Sequence, residues 1–167
     1  MGELIEQIRN HETLAHFCAD SCGEGTAEVR ISDRITESCI VNPEKYFESL
    51  RLGNTPASVD YIITTICRSR NHNHNLVELK SISTTLRNED AQIYKKFENT
   101  IDKFIFGSFE DVYCSEGILK LKLYLIHNIK KNSELQLLKK LFLKPIKRKN
   151  RNFYIRSEKS PYELKSC

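Results

Sequence analysis

The chain has 167 residues, 40% of them hydrophobic and 29% charged, a length and composition that suit one domain burying roughly two thirds of its unfolded surface without a stapling disulfide or metal. No apolar run approaches the roughly 20 residues of a bilayer span, and the acidic, amphipathic opening "MGELIEQIRNHETLAHF" is unlike a secretory signal, so a cytoplasmic protein with no membrane partner is expected. The net charge of +4 is uneven: "KKLFLKPIKRKNRNFYIR", from Lys139 to Arg156, holds eight Lys or Arg and no acid, a local field that attracts polyanions or serves only as a solvated surface.

In chain order, Leu4, Ile5, Ile8, Leu14, Ala15 and Phe17 predict a helix through residues 3 to 20, stopped by "SCGEG". "EVRIS" and "SCIV" predict short strands. "NPEKYFESL" predicts a short helix with Asn42 as cap and Pro43 in its first turn. Residues 58 to 66 and 75 to 82 read as two strands joined by a polar loop, "CRSRNHNHN". Ala91 to Phe106 is helical, with Ile93, Phe97, Ile101, Phe104 and Ile105 on one stripe and Gly107 at its end. "GILKLKLYLIH" alternates as a strand with one wetter face. "NSELQLLKKLFL" predicts a basic helix capped by Ser133 and broken at Pro145, and "NFYIR" a last edge strand. This is one mixed α/β domain over 1 to 167, its core about 3 to 126 and its basic helix and edge strand about 133 to 156.

Side chains two apart in a strand share a face, so Glu78 and Lys80 project together while Val77 and Leu79 point the other way. A lone Glu-x-Lys is often a solvent-facing pair worth about 0 to 1 kcal/mol. Asp60 heads the preceding strand, and a second carboxylate beside Glu78 is repulsive unless a cation or proton sits between them. Two carboxylates and an ammonium suit a hard divalent ion that activates water and balances the charge on a leaving oxygen.

An acid at the start of one strand and Glu-x-Lys in the next, with a helix before and a helix and strand after, resembles the PD-(D/E)xK superfamily of restriction-endonuclease-like and Holliday-junction-resolvase-like nucleases. The motif matches Asp60, Glu78 and Lys80, within "SVDYIIT" and "LVELKS"; the order of elements extends over about 3 to 126. The resemblance implies a restriction-endonuclease-like fold with a mixed central sheet of four to five strands flanked by helices. It also implies Mg²⁺ or Mn²⁺ on Asp60, Glu78 and the Leu79 carbonyl, with Lys80 assisting the nucleophilic water, DNA as substrate, and a homodimer. Val59 stands where the family name has proline, and no Gln-x-x-x-Tyr element is present, Gln92 and Tyr94 being two apart. The further acid often supplied by the opening helix is open among Glu3, Glu6, Glu12 and Glu28. "ELK" recurs at Glu163 to Lys165, next to Pro161 and away from any expected core strand, so the tripeptide by itself is uninformative. A symmetric hairpin between Ile66 and Leu76 sets Asp60 against Ile82, about 13 Å out of line with Glu78 at roughly 3.3 Å per residue. The family reading therefore requires an offset register.

His72 and His74, one residue apart in a solvated hairpin loop, could hold a metal or contact phosphate, and Arg68 and Arg70 beside them strengthen phosphate contact; Lys144, Lys147, Arg148, Lys149 and Arg151 of the basic segment are further candidates for phosphate contact. His11, His16, Cys18 and Cys22 supply zinc-ligand types, but on a helix His16 turns away from the other three. The six cysteines lack the spacing of a secreted scaffold and are expected as reduced thiols. Two rival readings follow: a non-catalytic nucleic-acid-binding or assembly protein with an inactive nuclease-like fold, and a small regulatory protein that binds metal through its N-terminal Cys and His residues.

Overall fold

The computed structural model describes residues 3–66, 72–81, 89–115 and 119–165. Among them the chain runs α1 (Glu3–Asn10), a 3₁₀ turn (Leu14–Phe17), β1 (Cys18–Ala19), β2 (Cys22–Glu24), β3 (Ala27–Ile31), β4 (Ser38–Val41) and α2 (Pro43–Ser49). It continues with β5 (Tyr61–Ile66), β6 (His72–Lys80), α3 (Asp90–Asn99), a π-helical segment (Thr100–Ser108) and α4 (Glu110–Tyr113). The last elements are β7 (Leu121–His127), α5 (Asn132–Leu141), β8 (Ile146–Arg148), β9 (Arg151–Phe153), β10 (Ile155–Lys159) and β11 (Tyr162–Leu164). None of the described helices is long and apolar enough to cross a membrane.

The fold is mixed α/β around a sheet in the order β1-β4-β5-β6-β7-β10, six strands where four to five were expected. β1, β4, β5 and β6 pair antiparallel; β7 and β10 join parallel. The parallel β6–β7 pair is connected through α3, the π segment and α4, as a parallel pair needs a crossover. "NFYIR" divides between β9, which closes a hairpin with β8, and β10, which takes the sheet edge.

One sheet face packs against the helices through Leu4, Ile5 and Ile8 of α1, Phe47 of α2, Ile93 and Phe97 of α3, and Phe104 of the π segment. The opposite face is partly covered by a three-stranded sheet, β11-β3-β2, whose Cys22, Val29 and Leu164 meet Ile63, Val77, Leu79, Tyr124 and Ile126. That second layer buries Tyr124 and Ile126, so β7 has no wet face from Leu123 onward. The repeated "ELK" belongs to it: Tyr162–Leu164 is a strand, parallel to β3, despite Pro161.

Other local expectations need correction. The opening helix ends at Asn10 rather than residue 20, because His11 Nδ1 accepts the N–H groups of Thr13 (3.1 Å) and Leu14 (3.3 Å) and turns the chain. Asn42 caps α2 as expected, Oδ1 accepting from Lys45 N at 2.9 Å. Ser133 does not cap α5, which starts at Asn132 without a side-chain cap. The basic run beyond the break at Pro145 forms the β8–β9 hairpin, which the sequence did not signal.

Candidate active site

His72 to Asn75, expected as loop, open β6, and Ile66 of β5 pairs with His72. The register then carries Tyr61 opposite Val77 and, one step further, Asp60 level with Glu78. The four-residue misalignment of a symmetric hairpin disappears because β6 starts earlier than its apolar residues do. Its polar start is satisfied across the strands: Asn75 Nδ2 donates to Ile63 O (2.9 Å), and His74 Nδ1 lies 3.0 Å from Thr64 Oγ1.

The segment leading to Asp60 is pinned to the helix layer. Val59 N donates to Thr100 Oγ1 (3.0 Å), which itself donates to Lys96 O (2.8 Å), and Asn99 Nδ2 donates to Ala57 O (2.8 Å). The same junction of α3 with the π segment thus fixes the start of β5 and aims Lys96 at the end of the sheet. Asp60 Oδ2 accepts from Leu79 N at 2.6 Å. A strand residue turns its N–H and C=O to the same side, and His74 N, on the opposite alternation, goes to Lys120 O toward β7. The Leu79 carbonyl therefore faces past the start of β5, on Asp60's side.

Glu78 is 0% exposed, and its Oε1 accepts from Lys96 Nζ at 2.8 Å, with Lys80 Nζ at 3.6 Å. Lys96 Nζ is also 4.0 Å from Asp60 Oδ1, and Lys80 Nζ is 3.2 Å from Glu89. Glu78 Oε2 is buried with no hydrogen-bond partner among the described residues. Burial, then the Asp60 charge, pushes the Glu78 carboxyl up to about 7 against the pull of Lys96 and Lys80. Burial also raises Asp60 to about 6, opposed by the Leu79 N–H and Lys96. Burial pulls the Lys96 ammonium down, but the charge and hydrogen bond of Glu78, with Asp60 and Glu44, outweigh it and leave its pKa raised.

These groups line a cleft of about 280 Å³ with Glu24, Glu44 and Ser81 on its walls. Glu44 stands in the first turn of α2, set by the Asn42 cap. Glu24 is held at the rim because Ser81 Oγ donates to Glu24 O (2.6 Å) and accepts from Thr26 N (3.0 Å). The turn between them needs Gly25, at φ +57, where a Cβ would fall 2.5 Å from Ser81 Oγ. Glu3, Glu6, Glu12 and Glu28, the acids left open by the sequence, do not line the cleft; Glu28 pairs with Arg30.

The donor set is two carboxylates and a backbone carbonyl, hard oxygens that fit the habit of Mg²⁺ to take one or two carboxylates and complete its shell with water and phosphate. The buried, unpartnered Glu78 Oε2 is an open acceptor for such an ion. No group of three or more His, Cys, Asp or Glu residues gathers to hold a metal among the described residues, so Glu24 and Glu44 do not join the Asp60–Glu78 pair as direct ligands. That also separates the candidate zinc residues. His11 packs its ring edge on Phe109 in the helix layer, while Cys22 is buried under the small sheet on the opposite face.

Arg68 and Arg70 lie outside the described residues. His72 and His74 are buried, and burial lowers His74 to about 3, so it is a neutral core group rather than a phosphate contact. Two cations of the basic segment, Arg148 and Lys149, are already paired with acids, and Arg151 is tied to a backbone carbonyl. Arg148 grips Asp102 through two bonds (2.6 and 2.8 Å) and reaches Glu98 at 3.5 Å; Lys149 pairs with Glu110 at 2.6 Å and lies over Phe106; Arg151 donates to Leu119 O at 2.6 Å. Lys144 and Lys147 are exposed without an ion-pair partner among the described residues. Two cations beside the cleft, Lys95 and Lys103, carry no motif by which the sequence would single them out. They line a groove of about 340 Å³ that adjoins the cleft through Lys96, with Gln92 and Asn99 between them. No family model, curated protein or solved structure matches the chain.

Proposed function

We propose that the chain is a metal-dependent nuclease of restriction-endonuclease-like fold that hydrolyses phosphodiester bonds, with DNA the substrate that the resemblance implies. The observation that carries this reading is the register that sets Asp60, just before β5, level with Glu78 near the end of β6, with Lys80 on the same face and one Glu78 oxygen buried without a partner among the described residues. The order of helix, antiparallel β4-β5-β6, helix and parallel β7 supports the fold assignment.

Bound Mg²⁺ or Mn²⁺ supplies Lewis acidity and a water of lowered pKa. Asp60, Glu78 and the Leu79 carbonyl would hold it, the Leu79 N–H fixing the Asp60 carboxylate in place. Lys80, steadied by Glu89, orients the attacking water and offsets charge on the phosphoryl oxygens. Lys95 and Lys103 guide the phosphate backbone along α3 to the cleft, and Lys144 and Lys147 add affinity at longer range. Two copies would bring two such clefts to the two strands of a duplex.

The test is cleavage of duplex, junction and single-stranded DNA by the purified chain with Mg²⁺ or Mn²⁺. EDTA, Asp60→Ala and Glu78→Ala should each abolish cleavage, and Lys80→Ala should lower the rate while DNA binding persists. Cleavage by the Glu78→Ala protein at the parental rate would assign the activity elsewhere. The non-catalytic reading is favoured by one observation, the Lys96 ammonium seated between the two carboxylates as a built-in cation. Binding without cleavage of any of the three substrates would select it.

A further inference from the structure

Two cysteines away from the carboxylate cleft form a second reactive constellation. β1 pairs with β4 so that Cys18 faces Val41 and Ala19 faces Ile40. Cys39 is two residues along β4 from Val41 and therefore on the same side of the sheet as Cys18. Their sulfurs are 3.7 Å apart, in a contact where either can donate, and the Cys18 thiol can also donate to Leu14 O at 3.6 Å. Cys18 is exposed and Cys39 is 5% exposed, one open to small solutes and the other behind it.

The electrostatics divide the roles. The hydrogen bond from Cys39 holds the Cys18 thiol down to about 7 against its partial burial, and the guanidinium of Arg9, anchored on Ser38 O at 2.8 Å, helps. Donating that bond, together with burial, pushes Cys39 up. The exposed sulfur is thus the one whose thiolate the site favours, with Cys39 as its protonated neighbour. The other described cysteines lack this setting: burial raises Cys22 to about 12 and also raises Cys114.

We propose that Cys18 and Cys39 are a peroxide-reactive dithiol, with Cys18 as the attacking sulfur and Cys39 as the resolving one, that closes to a disulfide between β1 and β4. The Cys18 thiolate attacks one oxygen of a hydroperoxide; the O–O bond breaks, giving Cys18 sulfenic acid and hydroxide, or alkoxide from an organic hydroperoxide. Cys39 sulfur then attacks the Cys18 sulfur, its proton leaves with the departing hydroxyl as water, and the S–S bond forms. The two thiols are oxidised by two electrons, and the peroxide is reduced by two. Closure brings the sulfurs from 3.7 Å to about 2.05 Å, and β1, two residues long at the sheet edge with one neighbour, can move by that amount without disturbing β5 or β6. The pair is independent of the nuclease reading and stands if that reading fails.

The test treats the reduced full chain with stoichiometric hydrogen peroxide and maps its peptides by mass. The expected product is about 2 Da lighter, carries a Cys18–Cys39 link, and is restored by dithiothreitol. In Cys39→Ser, Cys18 sulfenic acid should accumulate and take up dimedone at least about tenfold more than in the parent, because its resolving partner is gone. Cys18→Ser, at an exposed edge position, should fold and leave Cys39 unoxidised at the same dose. A link formed between other cysteines, Cys18 driven to sulfinic acid with Cys39 untouched in the parent, or Cys18 reacting no faster than Cys114 would each overturn the proposal.

Discussion

Replacing Glu78 by glutamine should make the chain more stable at neutral pH. The Glu78 side chain is 1% exposed, and its carboxyl is raised from 4.5 to about 7, burial being the largest cause and the Asp60 charge the second. Between those values the native chain keeps a proton that the unfolded chain has released, so stability falls as pH rises through the window. Below about pH 4.5 this group contributes no penalty; above about 7 the penalty is complete. At 1.36 kcal/mol per pKa unit the gap amounts to about 3 kcal/mol. Glu78→Gln retains the volume and an oxygen for Lys96 but never ionises. In EDTA it should match the parent near pH 4.5 and exceed it by up to about 3 kcal/mol at pH 8. Asp60, raised from 3.8 to about 6, should leave both proteins a shared slope at lower pH. Mg²⁺ should then reverse the ranking at pH 8, because an ion at about 1,000 times its dissociation constant adds about 4.1 kcal/mol to a protein that binds it and little to one lacking the anion. Urea unfolding at half-unit pH steps, with EDTA or Mg²⁺, measures all of this. Parallel pH profiles for parent and variant in EDTA would refute the claim that Glu78 is a strained, ion-seeking carboxylate.

Lys96→Met removes the nearest cation from Glu78 and should cost about 3 to 5 kcal/mol at pH 8, with much of the loss recovered at pH 5 where the carboxyl is protonated; equal losses at both pH values would contradict the pairing. Lys147→Ala, or either Lys95→Ala or Lys103→Ala, should flatten the salt dependence of DNA binding by about 0.9 for each phosphate no longer neutralised. Arg148→Ala, whose charge is already spent on Asp102 and Glu98, should instead lower the melting temperature and leave that slope unchanged; an equal flattening would mean the ion pairs open on binding. Asn42→Ala removes the α2 cap and should cost about 1 kcal/mol in thermal unfolding, and an unchanged melting temperature would show the cap is idle.

Elements whose signals are local were legible in the sequence: the Asn-Pro start of α2, the existence of strand β7 though not the burial of both its faces, and the shared face of Glu78 and Lys80. Features that depend on distant partners were not. "HNHN" has no apolar residue, yet it is a buried strand because Thr64 and the Ile63 carbonyl, on β5, meet its polar groups. Lys96 follows Ile93 by three residues, at the flank of the buried stripe, which was the available hint that it turns inward. Its target, Glu78, lies 18 residues earlier. The basic run looked free because Asp102 and Glu110, which neutralise Arg148 and Lys149, are 46 and 39 residues away. The small covering sheet was also hidden, since β3 and β11 are joined by pairing between opposite ends of the chain.

The most direct test of the central claim is the position of Mn²⁺ in crystals of the protein, located by its anomalous scattering. The account predicts one strong peak in the cleft, about 2 Å from oxygens of Asp60 and Glu78 and from the Leu79 carbonyl, with the Lys96 ammonium displaced from Glu78. Saturating Mn²⁺ that leaves Lys96 seated between the two carboxylates, with no peak beside them, would contradict it.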